Sequence, residues 1–113
     1  MVRRERQRYI IFKIIKNKED QFNQEIFIKE LWNNIWTYFG LREANKIGLW
    51  VLDWNLEMDY GILRCSHESK EIIISALTLI KEIEGKRVIF SPIKTSGTIR
   101  ALKNKYLKKL IKE

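Results

Sequence analysis

The run Tyr9-Ile10-Ile11-Phe12-Lys13-Ile14-Ile15 limits the fold more than any other segment. Its β-branched and aromatic content marks a strand. Successive side chains of a strand point to opposite faces. Ile10, Phe12 and Ile14 therefore share one face, and Tyr9, Ile11, Lys13 and Ile15 share the other. Both faces are largely apolar. Such a strand is central, either covered on both sides or covered on one and facing a partner on the other.

From about Asp20 to Phe39 the apolar spacing becomes helical. Ile28, Leu31, Trp32, Ile35 and Phe39 form one stripe, and Gly40 marks the end. Phe22, Ile26 and Trp36 fall outside that stripe. A deep core helix and a protein-partner surface fit this excess equally well. A polar connection, Leu41 to Lys46, leads to a second strand, Ile47 to Trp54. Asn55 to Asp59 turns the chain, and Tyr60 to Cys65 returns as a third strand, making a hairpin. Ser69 then caps a helix whose inner stripe is Ile73, Ala76, Leu77, Ile80 and Ile83, with Gly85 as its C-terminal stop. Arg87 to Ser91 is a fourth strand, and Pro92 marks either an edge or a strand end. Thr98 to Lys112 is a basic final helix, with Ile99, Leu102, Tyr106 and Leu110 inward. The expected fold is α+β, a two-layer βαββαβ sandwich of the ferredoxin-like or RNA-recognition kind, with an extra C-terminal helix.

Length bounds the rest. The 113 residues suit one domain, with residues 1–8 as a basic arm and 98–112 as the basic helix. Such a chain buries about two-thirds of its unfolded surface, enough for a core without staples. The single Cys65 excludes an internal disulfide and suits a reducing compartment, so the cytoplasm is the expected location. No apolar run approaches a membrane span.

Charge is placed unevenly. The net charge is +6 over residues 1–18, −6 over 19–85 and +8 over 86–113. Two solvated tails would explain the ends. Both basic segments carry regular apolar spacing, however, and are expected to be ordered. If they meet in space they form one concentrated positive patch.

Catalytic chemistry is thin. His67 lies two residues after Cys65, but a Cys-x-His pair cannot complete a four-ligand zinc site. Cys65 is better read as a small buried hydrophobe, and His67 as packing at a strand end or donating a hydrogen bond. No nucleophile elbow, phosphate-binding loop or paired carboxylates appear. No catalytic residue, metal site or protein-bound cofactor is therefore expected. What remains is nucleic-acid binding, for which phosphate contacts need Lys and Arg on a formed surface. The third strand, Tyr60-Gly61-Ile62-Leu63-Arg64-Cys65, lacks the aromatic pair of an RNA-recognition motif. Structured RNA held by shape and phosphates fits better. Trp50 and Trp54 have strand spacing, which more often means core or interface than base stacking.

The segment Ser91 to Leu102 holds a Thr-Ser-Gly-Thr turn before the last helix, with Lys94 and Arg100 on either side. A turn feeding a helix N-terminus presents free N–H groups, a plausible seat for a phosphate. The plainer alternative is that Gly97 permits a backbone angle and Thr98 caps the helix.

Five short strings now stand in order: Arg6-Gln7-Arg8-Tyr9-Ile10, Gly48-Leu49-Trp50, Gly61 to His67, Gly85-Lys86-Arg87-Val88, and Ser96-Gly97-Thr98-Ile99-Arg100-Ala101-Leu102. Together the chain resembles the archaeal ribonuclease P protein component 2 family, related to the eukaryotic Pop-five and Rpp-fourteen subunits. The resemblance implies a noncatalytic subunit of a ribonucleoprotein that removes 5′ leaders from precursor tRNA. It implies that the RNA carries the chemistry through bound magnesium. It also implies a second protein subunit shaped like a TIM barrel, with which the chain supports the catalytic domain of the RNA. By charge and motif, the RNA-binding residues would be Arg4, Arg6 and Arg8 on the arm, Arg64, Lys86 and Arg87 on the sheet rim, and Lys94, Ser96, Thr98, Arg100 and Lys103 around the turn. The excess of apolar surface points to self-association or poor solubility of the isolated chain, relieved by a protein partner. Two rivals stand beside this reading. One is a ferredoxin-like regulatory module whose turn holds a small anion, which the split of charge fits less well. The other is a stand-alone nuclease, for which a carboxylate cluster is missing.

Overall fold

The computed structural model describes residues 6–40 and 48–102. Strand β1 (Gln7–Lys16) leads to helix α1 (Gln24–Phe39), strands β2 (Trp50–Asn55) and β3 (Tyr60–Ser66), and a 3-10 turn (His67–Ser69). Helix α2 (Lys70–Leu79), strands β4 (Glu82–Ile83) and β5 (Lys86–Ser96), and a helix α3 described over Ile99–Leu102 complete the order. The sheet runs β2-β3-β1-β5-β4 with every neighbour antiparallel. This is the α+β ferredoxin-like arrangement, with a two-residue strand added at one edge.

β1 is the central strand, as its two apolar faces require. On one face Ile10, Phe12 and Ile14 join Phe27, Leu31 and Ile35 of α1 and Ile73, Ala76 and Leu77 of α2 in the main core. Phe12 sits in an aromatic cage, with ring centroids 5.5 Å from Phe27, 5.8 Å from Phe90 and 6.4 Å from Trp54. Trp54 stacks on Phe27 at 4.6 Å, and its indole N–H donates to the Phe22 carbonyl at 2.9 Å. On the opposite face Ile11, Tyr60, Ile62 and Leu102 form a second small core, with Tyr9 and Ile99 packed against it. The chain thus supplies cover for part of this face itself, through α3.

Several local expectations change, each for a physical reason. α1 starts at Gln24 rather than near Asp20, because the Asn23 side chain accepts the Ile26 N–H (3.1 Å) and caps it. Its buried line is Phe27, Leu31 and Ile35 at intervals of four, while Ile28, Trp32 and Phe39 flank it half-buried. Ser69 does not cap α2, because its hydroxyl is engaged by the Ser66 hydroxyl at 2.9 Å. α2 stops at Leu79, well before Gly85. Gly85 (φ 80°) and Glu84 (φ 53°) instead make the left-handed two-residue turn of the β4–β5 hairpin. Ile80 and Ile83 are still buried, though beyond the helix. Pro92 does not end its strand, but it does lie on an edge stretch, beyond the two β5 residues that pair with β4. β5 continues to Ser96, because the register jumps from Phe12↔Pro92 to Ile11↔Lys94 and leaves Ile93 as a bulge that accommodates the missing N–H. The connection at 41–47 and the final helix beyond Leu102, with Tyr106 and Leu110, lie outside the described residues.

Gly61 is fixed by packing. It lies opposite Phe12 in the β1–β3 ladder, and a Cβ there would run into the Phe12 ring. The ring cannot give way, being enclosed by Phe27, Phe90 and Trp54. Gly61→Ala should therefore lower unfolding free energy by about 2 kcal/mol in a denaturant titration, as overpacked cores do. Gly97→Ala, whose new methyl would meet only the flexible Arg8 side chain, should stay within about 0.5 kcal/mol of wild type. Equal stability of the two variants would contradict the packing account.

Candidate nucleic-acid interface

Register decides which charges meet. The start of β1 lies between the end of β3 and the end of β5: Gln7 pairs with Ser66, and Tyr9 pairs with Ser96. One step beyond, the His67 N–H donates to the Arg6 carbonyl at 2.7 Å. The N-terminal basic segment, the turn after β3 and the Thr-Ser-Gly-Thr segment therefore share one corner of the sheet. Arg8 crosses to the last of these. Its guanidinium donates to the Gln7 carbonyl (2.9 Å) and lies beside Gly97. Among the described residues, Arg6 and Arg8 of the N-terminal basic segment thus meet residues 96–98, which lead into the C-terminal one.

The predicted site residues divide by position. Arg6, Arg8, Arg64, Lys94, Ser96, Thr98 and Arg100 lie at this end of the molecule. Arg64 is opposite Tyr9 on one side and Trp50 on the other, on the face not covered by α1 and α2. Its Nε is buried with no hydrogen-bond partner. Lys94 is exposed opposite Ile11 on the same face, and Arg100 is exposed on α3. Lys86 and Arg87 are exposed at the other end of β5, roughly 30 Å along the strand from Ser96. They do not belong to the same cluster. Arg4 and Lys103 lie outside the described residues.

The turn itself is capped from within. Thr98 Oγ1 accepts the Ala101 N–H, and Ser96 Oγ accepts the Thr98 N–H, both at 3.3 Å. Two of the N–H groups expected to face a phosphate are thus already occupied. The cations flanking the turn are the groups left to attract one.

Two residues at the corner escape sequence reasoning. Lys70, at the start of α2, and His67 both join Arg6 and Arg8 there. Arg8, Lys70 and Arg6 all act electrostatically on the imidazole. Only the Gln7↔Ser66 register reveals this, and nothing in local spacing signals it. Of the two tryptophans at strand spacing, Trp54 belongs to the core and Trp50 is 60% exposed.

Cys65 faces the main core and is fully buried. Burial pushes its thiol up to about 11, against a smaller opposing effect of Lys70. Among the described residues no three His, Cys, Asp or Glu side chains gather as a metal site would require. No helix of the described residues is long and apolar enough to cross a membrane.

Comparison with known proteins adds four findings. The sequence model of the Rpp14/Pop5 family matches residues 8–107. Ribonuclease P protein component 2 of Pyrococcus furiosus is 34% identical over 104 residues, covering 92% of this chain and 85% of that protein. The protein of the same name from Methanocaldococcus jannaschii is 32% identical over 104 residues, covering 92% and 75%. A chain in the cryo-EM structure of yeast ribonuclease MRP superposes with a TM-score of 0.67 over 99% of this chain and 93% of its own. At 14% identity that likeness concerns the fold.

The burial of Cys65 has a chemical consequence. Only the thiolate reacts readily with alkylating agents, and this thiol is both enclosed and held protonated. In the native chain at about pH 8, iodoacetamide should modify Cys65 at least about a hundredfold more slowly than in the unfolded chain. Mass spectrometry of the time course measures this, and comparable rates would show that the site is open.

Proposed function

The chain belongs to the Rpp14/Pop5 family, and from this we propose that it serves as a protein subunit of ribonuclease P. Its part is to bind and brace the RNA that removes 5′ leaders from precursor tRNA. The observation that carries this reading is the corner where Arg6 and Arg8 meet the Ser96–Thr98 segment. RNA backbone binding is dominated by cations that neutralise phosphates, and their geometry sets which phosphates are held. Arg6, Arg8, Arg64, Lys94 and Arg100 supply the charge, and Ser96 and Thr98 keep the segment in place. Lys86 and Arg87 would reach a separate stretch of RNA.

On this reading the chain is not itself the catalyst. The RNA carries the chemistry, with magnesium bound to it. The protein's cations lower the cost of packing RNA strands against one another. A TIM-barrel-like subunit is the proposed protein partner. Helix α1 offers it a surface, since Trp36 is 50% exposed with Trp32 beside it at 6.1 Å, and Tyr38 is 61% exposed. The cytoplasm is the proposed compartment, where a lone buried thiol stays reduced.

The test is electrostatic. Log affinity for ribonuclease P RNA should fall linearly with log salt concentration. Arg6→Ala combined with Arg100→Ala should reduce the slope by about two, one phosphate contact each, with the fold retained. An unchanged slope in the folded double variant would remove both residues from the phosphate surface.

A further inference from the structure

The corner at the start of β1 is electrostatically unfinished. Arg6 precedes β1, Arg8 lies within it, His67 opens the 3-10 turn after β3, and Lys70 opens α2. The 2.7 Å bond from the His67 N–H to the Arg6 carbonyl pins the turn against the arm. Among the described residues, Glu68 is the carboxylate acting on His67, against Arg8, Lys70 and Arg6. Among the described residues, neither Arg6, Arg8 nor Lys70 forms an ion pair.

The imidazole is unfinished as well. His67 is half-buried, and its Nδ1 is shut off from solvent with no hydrogen-bond partner. Buried polar atoms are nearly always paired, so this ring nitrogen has hydrogen-bonding capacity that no described protein group uses. Loss of solvation, then the charges of Arg8, Lys70 and Arg6, holds His67 below the ordinary histidine range, with Glu68 opposing. In the free chain these surroundings therefore disfavour the charged ring.

We propose that this corner seats a backbone phosphate of the RNA, and that His67 joins Arg6, Arg8 and Lys70 there as an imidazolium donor. The inference rests on the RNA-binding role proposed above. A phosphate placed among these groups reverses the local field. It offsets the three cations that disfavour a charged ring, and it accepts a charge-assisted hydrogen bond from one. The protonated ring has two N–H donors, the neutral ring only one. The RNA-bound chain then holds a proton that the free chain lacks. By linkage, affinity rises as pH falls through the interval between the free and bound titrations of His67. The affected groups come from every segment at the corner: Arg6 and Arg8 from β1 and its approach, Glu68 from the turn, and Lys70 from α2.

The chain contains one histidine, so its imidazole C–H signals in NMR are unambiguous in the full, untagged protein. The experiment titrates them with and without ribonuclease P RNA and measures RNA affinity across the same range. His67 should titrate at higher pH in the complex, and binding should tighten about tenfold from about pH 8 to about pH 6. His67→Gln should flatten that dependence, and His67→Lys should bind with little pH dependence at all. An unmoved His67 titration in a complex that does form would overturn this inference and leave the RNA-binding role standing. A wild-type pH slope in His67→Gln would overturn it too. Failure of the wild-type chain to bind the RNA at any pH would overturn both.

Discussion

The Phe12 ring occupies the space over Gly61 in the neighbouring strand, walled in by Phe27, Trp54 and Phe90. This contact fixes how β1 lies against β3. A slip of one residue would turn Ile10, Phe12 and Ile14 away from the helices and drive Ile11 and Lys13 into the core. With the register held, Gln7 must face Ser66, and on the other side Tyr9 must face Ser96. The assembly of the cationic corner follows from packing some distance away.

Magnitudes show why the chain tolerates that corner. Each large side chain buried in the main core contributes about 2 kcal/mol. Two exposed like charges about 4 Å apart repel by about 1 kcal/mol in water, and salt weakens this further. The core therefore sets the geometry, and the charges accept it. Packing thereby holds Arg6, Arg8 and Lys70 near His67, where a bound polyanion would offset their mutual repulsion. Fold and binding are coupled in this sense: the sheet does not merely carry the cations but prevents them from spreading apart.

Features with a single physical meaning were legible in the sequence, and those with two were not. A strand apolar on both faces has one solution, and β1 is central. The strand from Tyr60 to Cys65, which runs one residue further to Ser66, the hairpin turn before it and the burial of Cys65 were equally direct. Gly85 was ambiguous, because a left-handed glycine serves a helix end and a two-residue hairpin alike. Pro92 was ambiguous, since a bulge removes the penalty that would otherwise end a strand. Ser69 had two partners to choose from, and Ser66, three residues back, took its hydroxyl. For the interface, runs of charge pointed to the ends of the chain and so to Arg6, Arg8, Lys94 and Arg100. They also pointed to Lys86 and Arg87, which register carries away to the other end of β5. Lys70 and His67 sit in the acidic middle of the chain, where no local charge run marks them. The family strings Gly48 to Trp50 and Gly61 to His67 did their work through identity rather than through any physical property readable at those positions.

The central claim is directional: the corner around residues 68 and 97 faces RNA, and the outer side of α1 faces protein. Both Glu68 and Gly97 are exposed, as is Trp36. A photoreactive amino acid at each position in turn, introduced into the assembled ribonucleoprotein, reads the direction in one experiment. Positions 68 and 97 should cross-link to ribonuclease P RNA, and position 36 to a protein subunit. Cross-links to RNA from position 36, with only protein captured at 68 and 97, would contradict the account.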